Sequence, residues 1–549
     1  MGLFLWWASY FTTIVAWELR KIFAWLAAPL LAGLLVLLVW LVLWLIGRKR
    51  RVRFAGRLPV VALGWLGGLL GLGLAVGWLV YGAYLQDRAY MGNVRIVSEP
   101  VPELSARAPY LVGKAQAAPH LGDVTGEISD ITYLPDSDRF ATLVERRGWL
   151  AGYEVGLVQD IPLGANSRNQ QRCSFDLDTA DARIGGWFNH NLGRKISAQR
   201  RWVRFEPSDA YVTCSGDTPI VVVPLKRQTG ILVVTERPAG VALYDGRTGK
   251  LTLTTDTAAV PGPTYPLSLA GRQREGTAAI GSFSDWWFER SGWDASEDGA
   301  NAGNEADFTL QYHDGSGRGA YVTPLTPQGE ASSVVAVSTV STRQEGGGLA
   351  PITVHRLDPT WSSPKSLVAL IKAEYRDVCC YNDDQVFEVV PTGGSTWTAT
   401  VGSDQNLRYR VEGRGLPDGR EASCLKTADG VLIRCAYAAP GSPEEKELKR
   451  REEEKQKAAG TPKPGEAGDL TAYTPEQLAE LQRRVSEEVV RRLKGGWATQ
   501  ATQATQAPRG ARVRARSDRR GSRSGSVRGG RAGRASGGGW PGGVRRSWR

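Results

Sequence analysis

The chain has 549 residues, 42% of them hydrophobic, and a formal net charge of +12. That length admits two to four domains with a sizeable core. From Trp497 to Arg549 there are thirteen Arg and one Asp, a balance of +12 that equals the charge of the whole protein. The basic character is therefore a property of the tail and gives no ground for a basic binding face on the folded part. Arg is abundant, Lys is scarce and Met occurs twice, a usage that fits a GC-rich bacterial coding sequence.

Residues 1–21 open with "MGLFLWWASYFTTIVAW", apolar but short and ending in Glu18, Arg20 and Lys21. The pattern predicts an interfacial apolar helix lying on a membrane, with a third span over residues 1–17 as the alternative. Residues 22–46 contain no charge and are long enough to cross a hydrocarbon core about 30 Å thick. Residues 58–85 form a second uncharged run, with Trp65, Trp78, Tyr81 and Tyr84 available as interface anchors. Two transmembrane helices are expected. Between them, residues 47–57 carry Arg48, Lys49, Arg50, Arg51, Arg53 and Arg57. Short loops rich in Lys and Arg stay cytoplasmic, so everything after Leu85 is expected outside a bacterial plasma membrane. In the second run Gly64 and Gly68, Gly67 and Gly71, and Gly73 and Gly77 form small-xxx-small pairs that let another helix approach, either the first span or a second copy of the chain.

Residues 86–362 are rich in Val, Thr, Tyr and Gly, with short apolar runs cut by turn residues, and predict a β-rich extracytoplasmic region. The expected class is a membrane-anchored all-β or α+β protein. Four stretches read as strand, Pro, turn, strand, which places Pro135, Pro224, Pro324 and Pro391 at strand ends or edges. The hundred-residue offset of Pro224-Leu225 and Pro324-Leu325 hints at two related modules. Residues 363–440 read as a helix, capped by Ser363 with Pro364 at its first position, followed by a strand-rich disulfide unit.

All six Cys follow the apolar runs, and an even count in an exported region suggests bridges. A two-residue Asp429-Gly430 turn sets Cys424 opposite Cys435, at a spacing a disulfide accepts. The other four allow three pairings, of which Cys173 with Cys214 is chosen.

"DASEDGANAGNE" resembles the calcium loop of EF-hands, with Asp294, Ser296 and Asp298 at positions 1, 3 and 5, the carbonyl of Ala300 at 7 and Glu305 at 12. Asn301 replaces the usual apolar residue at position 8, and a strand pattern follows in place of a helix. No cofactor is expected beyond this one calcium candidate. Just upstream, "SFSDWWFERSGW" concentrates Trp286, Trp287, Phe288 and Trp293, either as core or as a surface that stacks on sugars. The four His, at 120, 190, 313 and 355, are scattered and form no metalloprotease motif. No catalytic residue is assigned, and the chain is not expected to be an enzyme.

Residues 441–471 predict a charged helix and linker, starting with Ser442, Pro443 and Glu445 as cap signals. Residues 472–495 predict an amphipathic helix with Leu478, Leu481, Val485 and Val489 on one stripe. Residues 496–549, rich in Arg, Gly and Ser, cannot bury a core and predict a disordered tail. Arg512, Arg514, Arg516, Arg519 and Arg520 suit a phosphate polyanion, either anionic wall polymer or nucleic acid. The function expected is a membrane protein presenting a binding or scaffold domain in an envelope assembly. The alternatives are a membrane component of a DNA-transfer or secretion apparatus, and an exported cell-wall hydrolase acting through carboxylates near Asp285 or Asp294.

Overall fold

The structure is a computed structural model describing residues 10–21, 33–34, 36–38, 40–41, 44–45, 57–163, 168–231, 233–296, 308–329, 333–379, 385–403, 406–460, 479–480, 482–487 and 489–490. It divides into two units, Met1–Gln456 and Lys457–Arg549. In the second unit the described residues between 479 and 490 are helical, with Arg483 and Arg484 paired to Glu480 one turn away. Arg512, Arg514, Arg516, Arg519 and Arg520 lie outside the described residues.

The first unit begins with helix α1, residues 10–21. The described residues between 33 and 45 are helical, and their large side chains are exposed, Leu34 and Leu37 at 62% each. Helix α2, Arg57–Met91, runs on beyond the uncharged stretch into Asp87, Arg88 and Tyr90. Leu69, Leu72 and Val76 on it are also more than half exposed. Among the described residues, no helix is long and apolar enough to cross a membrane.

From residue 94 the chain is rich in β-structure, in four antiparallel meanders, each entered through a short helix. Helix α3 (Tyr110–Ala117) precedes sheet I, whose strands Glu127–Leu134, Arg139–Glu145, Tyr153–Asp160 and Arg168–Ser174 pair in chain order. Helix α4 (Leu192–Gln199) precedes sheet II, made of Tyr211–Ser215, Thr218–Thr229, Thr235–Asp245 and Leu251–Thr254. Helix α5 (Leu267–Glu275) precedes sheet III, with Phe308–Tyr312, Gly319–Pro327, Ser333–Ser341 and Ile352–Ser362 at its centre. Helix α6 (Pro364–Glu374) precedes sheet IV, whose five strands run from Gln385–Gly393 to Leu432–Tyr437. The order of helix, then antiparallel strands, recurs four times. Helices α3 to α5 escape a periodicity search because eight or nine residues give barely two turns.

Sheets I and II share one core, in which Leu143, Tyr153, Val212, Val221 and Val223 meet Leu192 and Ile196 of α4. Sheets III and IV share another around Val322, Val337, Trp397 and Val401, closed by Leu367 and Ile371 of α6. Sheet III is buried on both faces. Alternate residues such as Tyr321 and Ala336 turn the other way, toward α5 and Tyr90, as the two-residue period of a strand requires.

The prolines correct the expected hairpins. Pro135 does follow a strand end, and Pro391 lies in the outermost strand of sheet IV beside a register shift. Pro224 and Pro324 instead sit inside long strands. Each occupies a gap where the strand changes neighbours: Val222 pairs with Tyr211 but Lys226 with Arg204, and Val322 pairs with Phe308 but Leu325 with Ala295. A residue with no N–H leaves no ladder bond unmade there.

Helix α7 (Pro443–Gly460) closes the unit; Ser442 Oγ accepts the Glu445 N–H, and the Glu445 carboxylate accepts the Gly441 N–H.

Candidate functional site

Two segments flanking the apolar runs converge on one hairpin of sheet II, Thr218–Thr229 with Thr235–Asp245. Helix α1 lays Thr13 and Trp17 against it, both nearly buried. Arg204 donates to Thr13 Oγ1 at 3.0 Å, Gln228 donates to the Trp17 carbonyl at 2.9 Å, and Arg20 donates to the Gly230 carbonyl at 2.9 Å. The Tyr10 ring packs near the guanidinium groups of Arg194 and Arg204, 5.7 and 5.6 Å from its centroid, and burial raises its hydroxyl above the ordinary pKa.

The last turns of helix α2 reach the same end of that hairpin. Gln86 donates to the Val234 carbonyl at 2.7 Å, and Tyr90 Oη accepts the Glu236 backbone N–H at 2.7 Å. Arg272 of α5 donates to Asp87 at 2.8 Å, and Arg88 donates to the Ala279 carbonyl at 3.1 Å. The helix then turns into Val94–Val97, a strand that pairs in parallel with Ile352–His355 of sheet III. Its last turns are thus fixed by side chains and by the sheet ladder.

A charged network lies at the meeting point. Lys21 Nζ is 2.9 Å from Glu236, and Glu236 is 3.3 Å from Lys226 Nζ, which also touches Glu206 at 3.2 Å and donates to Ser268 Oγ at 3.1 Å. Ser268 donates both its N–H and its hydroxyl to Asp209, at 2.9 and 2.5 Å. Burial pulls the Lys226 ammonium down, but Glu236, Glu206 and Asp209 outweigh it and hold the pKa above its ordinary value. Burial pushes Glu236 up, but Lys226 and Lys21 hold it below the carboxylate range. Asp209 is raised by burial against the two bonds from Ser268. The hydroxyl of Ser268 faces a charged ammonium, which has no lone pair to accept its proton, so this Ser and Lys form a structural pair and not a nucleophile with its base.

Sequence reasoning missed this clamp. Its one legible sign is Lys226 inside the apolar stretch "IVVVPLKRQ", because a lysine on a buried strand must find a carboxylate.

The aromatic stretch after Gly281 packs on α2. Phe283 lies 5.3 Å from Tyr81 and 5.5 Å from Tyr84 between ring centroids, Trp286 lies 5.9 Å from Tyr84, and the Trp286 indole N–H donates to Asp87 at 3.1 Å. Trp287 and Phe288 remain exposed, at 48% and 76%. Asp285 accepts the Ser282 backbone N–H at 2.7 Å and serves as a local cap.

Asp294 belongs to the strand Trp293–Ala295, paired with Gly319–Pro327, and the Ser296 N–H donates to the Pro324 carbonyl at 2.8 Å. That pairing keeps the first positions of the calcium-loop pattern extended. Asp298, Ala300 and Glu305 lie outside the described residues, among which no group of three acidic, His or Cys side chains could hold a metal.

The two cysteine pairs are bridged in the structure. Cys173–Cys214 ties the last strand of sheet I to the first of sheet II, with Cα atoms 5.9 Å apart, and Cys424–Cys435 spans two neighbouring strands of sheet IV at 3.9 Å. The turn before Cys435 holds three residues and not two, since Thr427 N–H bonds the Val431 carbonyl. A register shift between Leu425 and Lys426 absorbs the extra residue and restores Cys424 opposite Cys435.

Around Gly68, Gly71, Gly73 and Gly77 nothing among the described residues lies within 4 Å of where a Cβ would stand. The side chains around Gly64 and Gly67 lie outside the described ones.

The four His stay apart. His313 Nδ1 is 3.3 Å from Ser105 Oγ, at the edge of a cleft of about 910 Å³ between sheets III and IV that Trp397, Arg414 and Glu444 also line. Among the described residues no carboxylate bonds its ring, so no acid orients it as a base.

Comparisons with protein-family models, with curated proteins and with solved structures find no match to this chain.

Proposed function

We propose that the chain is a bacterial integral membrane protein, in which two N-terminal spans hold a disulfide-bonded, β-rich binding or scaffold domain on the extracytoplasmic face. The observation that carries this reading is the convergence of α1 and the end of α2 on one hairpin. Two apolar runs of spanning length lie between those segments, and an even number of crossings returns the chain to its starting side. The residues before the first run and the domain after the second are then free to dock, as they do at Lys21 and Glu236. A third span over residues 1–17 would take α1 out of reach of Gln228 and Glu236.

Three further facts support the orientation. The basic loop at residues 48–57 favours the cytoplasm. Exposed leucines on both helical runs have no cover within the described chain, and hydrocarbon is the solvent that suits them. The bridged cysteines fit an oxidising compartment. In this orientation the Arg-rich tail lies outside, where its partners are anionic wall polymers or lipid headgroups.

Single reporter cysteines at Val52 and Leu470, labelled on intact cells with an impermeant maleimide, test this reading. Position 470 is expected to react at once and position 52 only after the cells are opened; the reverse pattern overturns it.

A further inference from the structure

We infer that the domain does not merely hang from its spans but rests in the outer leaflet through an apolar collar built from three separate elements. This rests on the spanning reading above. The first element is the outward face of α1. Tyr10, Thr13 and Trp17 turn toward the domain, while Phe11, Ile14, Val15 and Leu19 form an exposed stripe at helical spacing, each at least 36% exposed. The second is the tip of the clamped hairpin, where Ile231 is 89% exposed, next to the Gly230 carbonyl that Arg20 holds. The third is the single π-helical turn Asp285–Glu289, which projects Trp287 and Phe288.

Depth is set by α2. Phe283 and Trp286 pack on Tyr81 and Tyr84, the last aromatic residues of the uncharged stretch. Whatever depth those tyrosines take, the neighbouring π-turn takes nearly the same. Tyr and Trp belong at the headgroup level, so Trp287 and Phe288 reach into or just above the acyl boundary. Arg20, Arg88 and Arg290 are exposed around the same elements, on the side where anionic headgroups lie. The occupant of this surface is lipid, because its three parts surround the points where both runs leave the domain. An amphipathic helix with a polar inner face and an apolar outer one binds such an interface by area buried plus attraction to anionic lipid.

The test uses the full chain in vesicles of phosphatidylcholine and phosphatidylglycerol, with an environment-sensitive fluorophore on Val15→Cys, Ile231→Cys or Phe288→Cys. Val431→Cys, on an exposed turn of sheet IV, is the control. The three collar labels are expected to shift to the blue and to be quenched by lipids carrying a nitroxide near the headgroup, with the control unaffected. Collar labels that stay water-like while the protein resists alkaline extraction overturn the collar and leave the spans standing. Release of the protein by alkali overturns the spanning reading and the collar with it.

Discussion

Lys21 and Glu236, far apart in sequence, form a 2.9 Å ion pair that joins the helix before the first apolar run to the hairpin that also receives the helix after the second. The pair is unequal: Glu236 is nearly buried and bonded also to Lys226, whereas Lys21 is about one-third exposed, at 30%. Glu236→Ala leaves the buried Lys226 with one fewer carboxylate and is expected to cost about 3 kcal/mol. Lys21→Ala removes a partly solvated partner and is expected to cost less than about 1 kcal/mol. Urea unfolding of the detergent-solubilised variants, followed by limited proteolysis of α1, checks the order; equal costs would contradict the burial argument.

Docking of α1 is expected to hold across neutral pH and to weaken at both extremes. Glu236 titrates below its ordinary 4.5 in the folded chain, so its contribution is complete above that value and is lost as pH falls through the lowered one. Lys226 titrates above its ordinary 10.5, so its contribution is complete below that value and is lost as pH rises further. Asp209, raised by burial, acts in the opposite sense and offsets part of the acid loss. Proteolytic protection of α1 is therefore expected to be lost at acid pH, as Glu236 protonates below its ordinary 4.5, and again above the ordinary 10.5 of Lys226, and a loss of protection between about pH 7 and about pH 10 would contradict the network.

The two bridges differ in what they close. Cys173–Cys214 spans 41 residues and joins two sheets, whereas Cys424–Cys435 spans 11 within one. Loop-closure entropy gives about 4 kcal/mol for the first and about 3 kcal/mol for the second. Paired Cys→Ala variants, compared by denaturant unfolding, are expected to follow that order, with the Cys173/Cys214 variant also loosening the core that sheets I and II share.

Gly413 lies directly across the ladder from Trp397, and a Cβ there would overlap the indole ring. The ring is fully buried, and its N–H donates to Glu421 at 3.2 Å, so it has no room to yield. Gly413→Ala is expected to destabilise the chain by about 1 to 3 kcal/mol, read as a lower Tm, with Trp397 emission shifted to the red.

Local chemistry was legible in the sequence wherever neighbours decide the outcome. Ser363 caps α6 with Pro364 in its first turn, and Cys424 faces Cys435 although the turn count behind that pairing was one residue short. Prolines misled because their cost depends on the partner strand, and the gaps that accommodate Pro224 and Pro324 arise from segments distant in the chain. The clamp was invisible for the same reason. Nothing near Lys21 announces Glu236, and the apolar run is expected to end at Leu85 although α2 continues through Met91. That continuation is stabilised by the tertiary bond Arg272 donates to Asp87 and the one Gln86 donates to the Val234 carbonyl, not by the segment's own sequence.

Cross-linking across the clamp tests the shared-side topology most directly. In membranes carrying Lys21→Cys with Glu236→Cys, a short bis-maleimide is expected to bridge the two positions within one chain, while a reporter at Val52 stays protected from impermeant reagent on intact cells. Absence of the bridge, with both cysteines singly modified from opposite sides of the membrane, would contradict it.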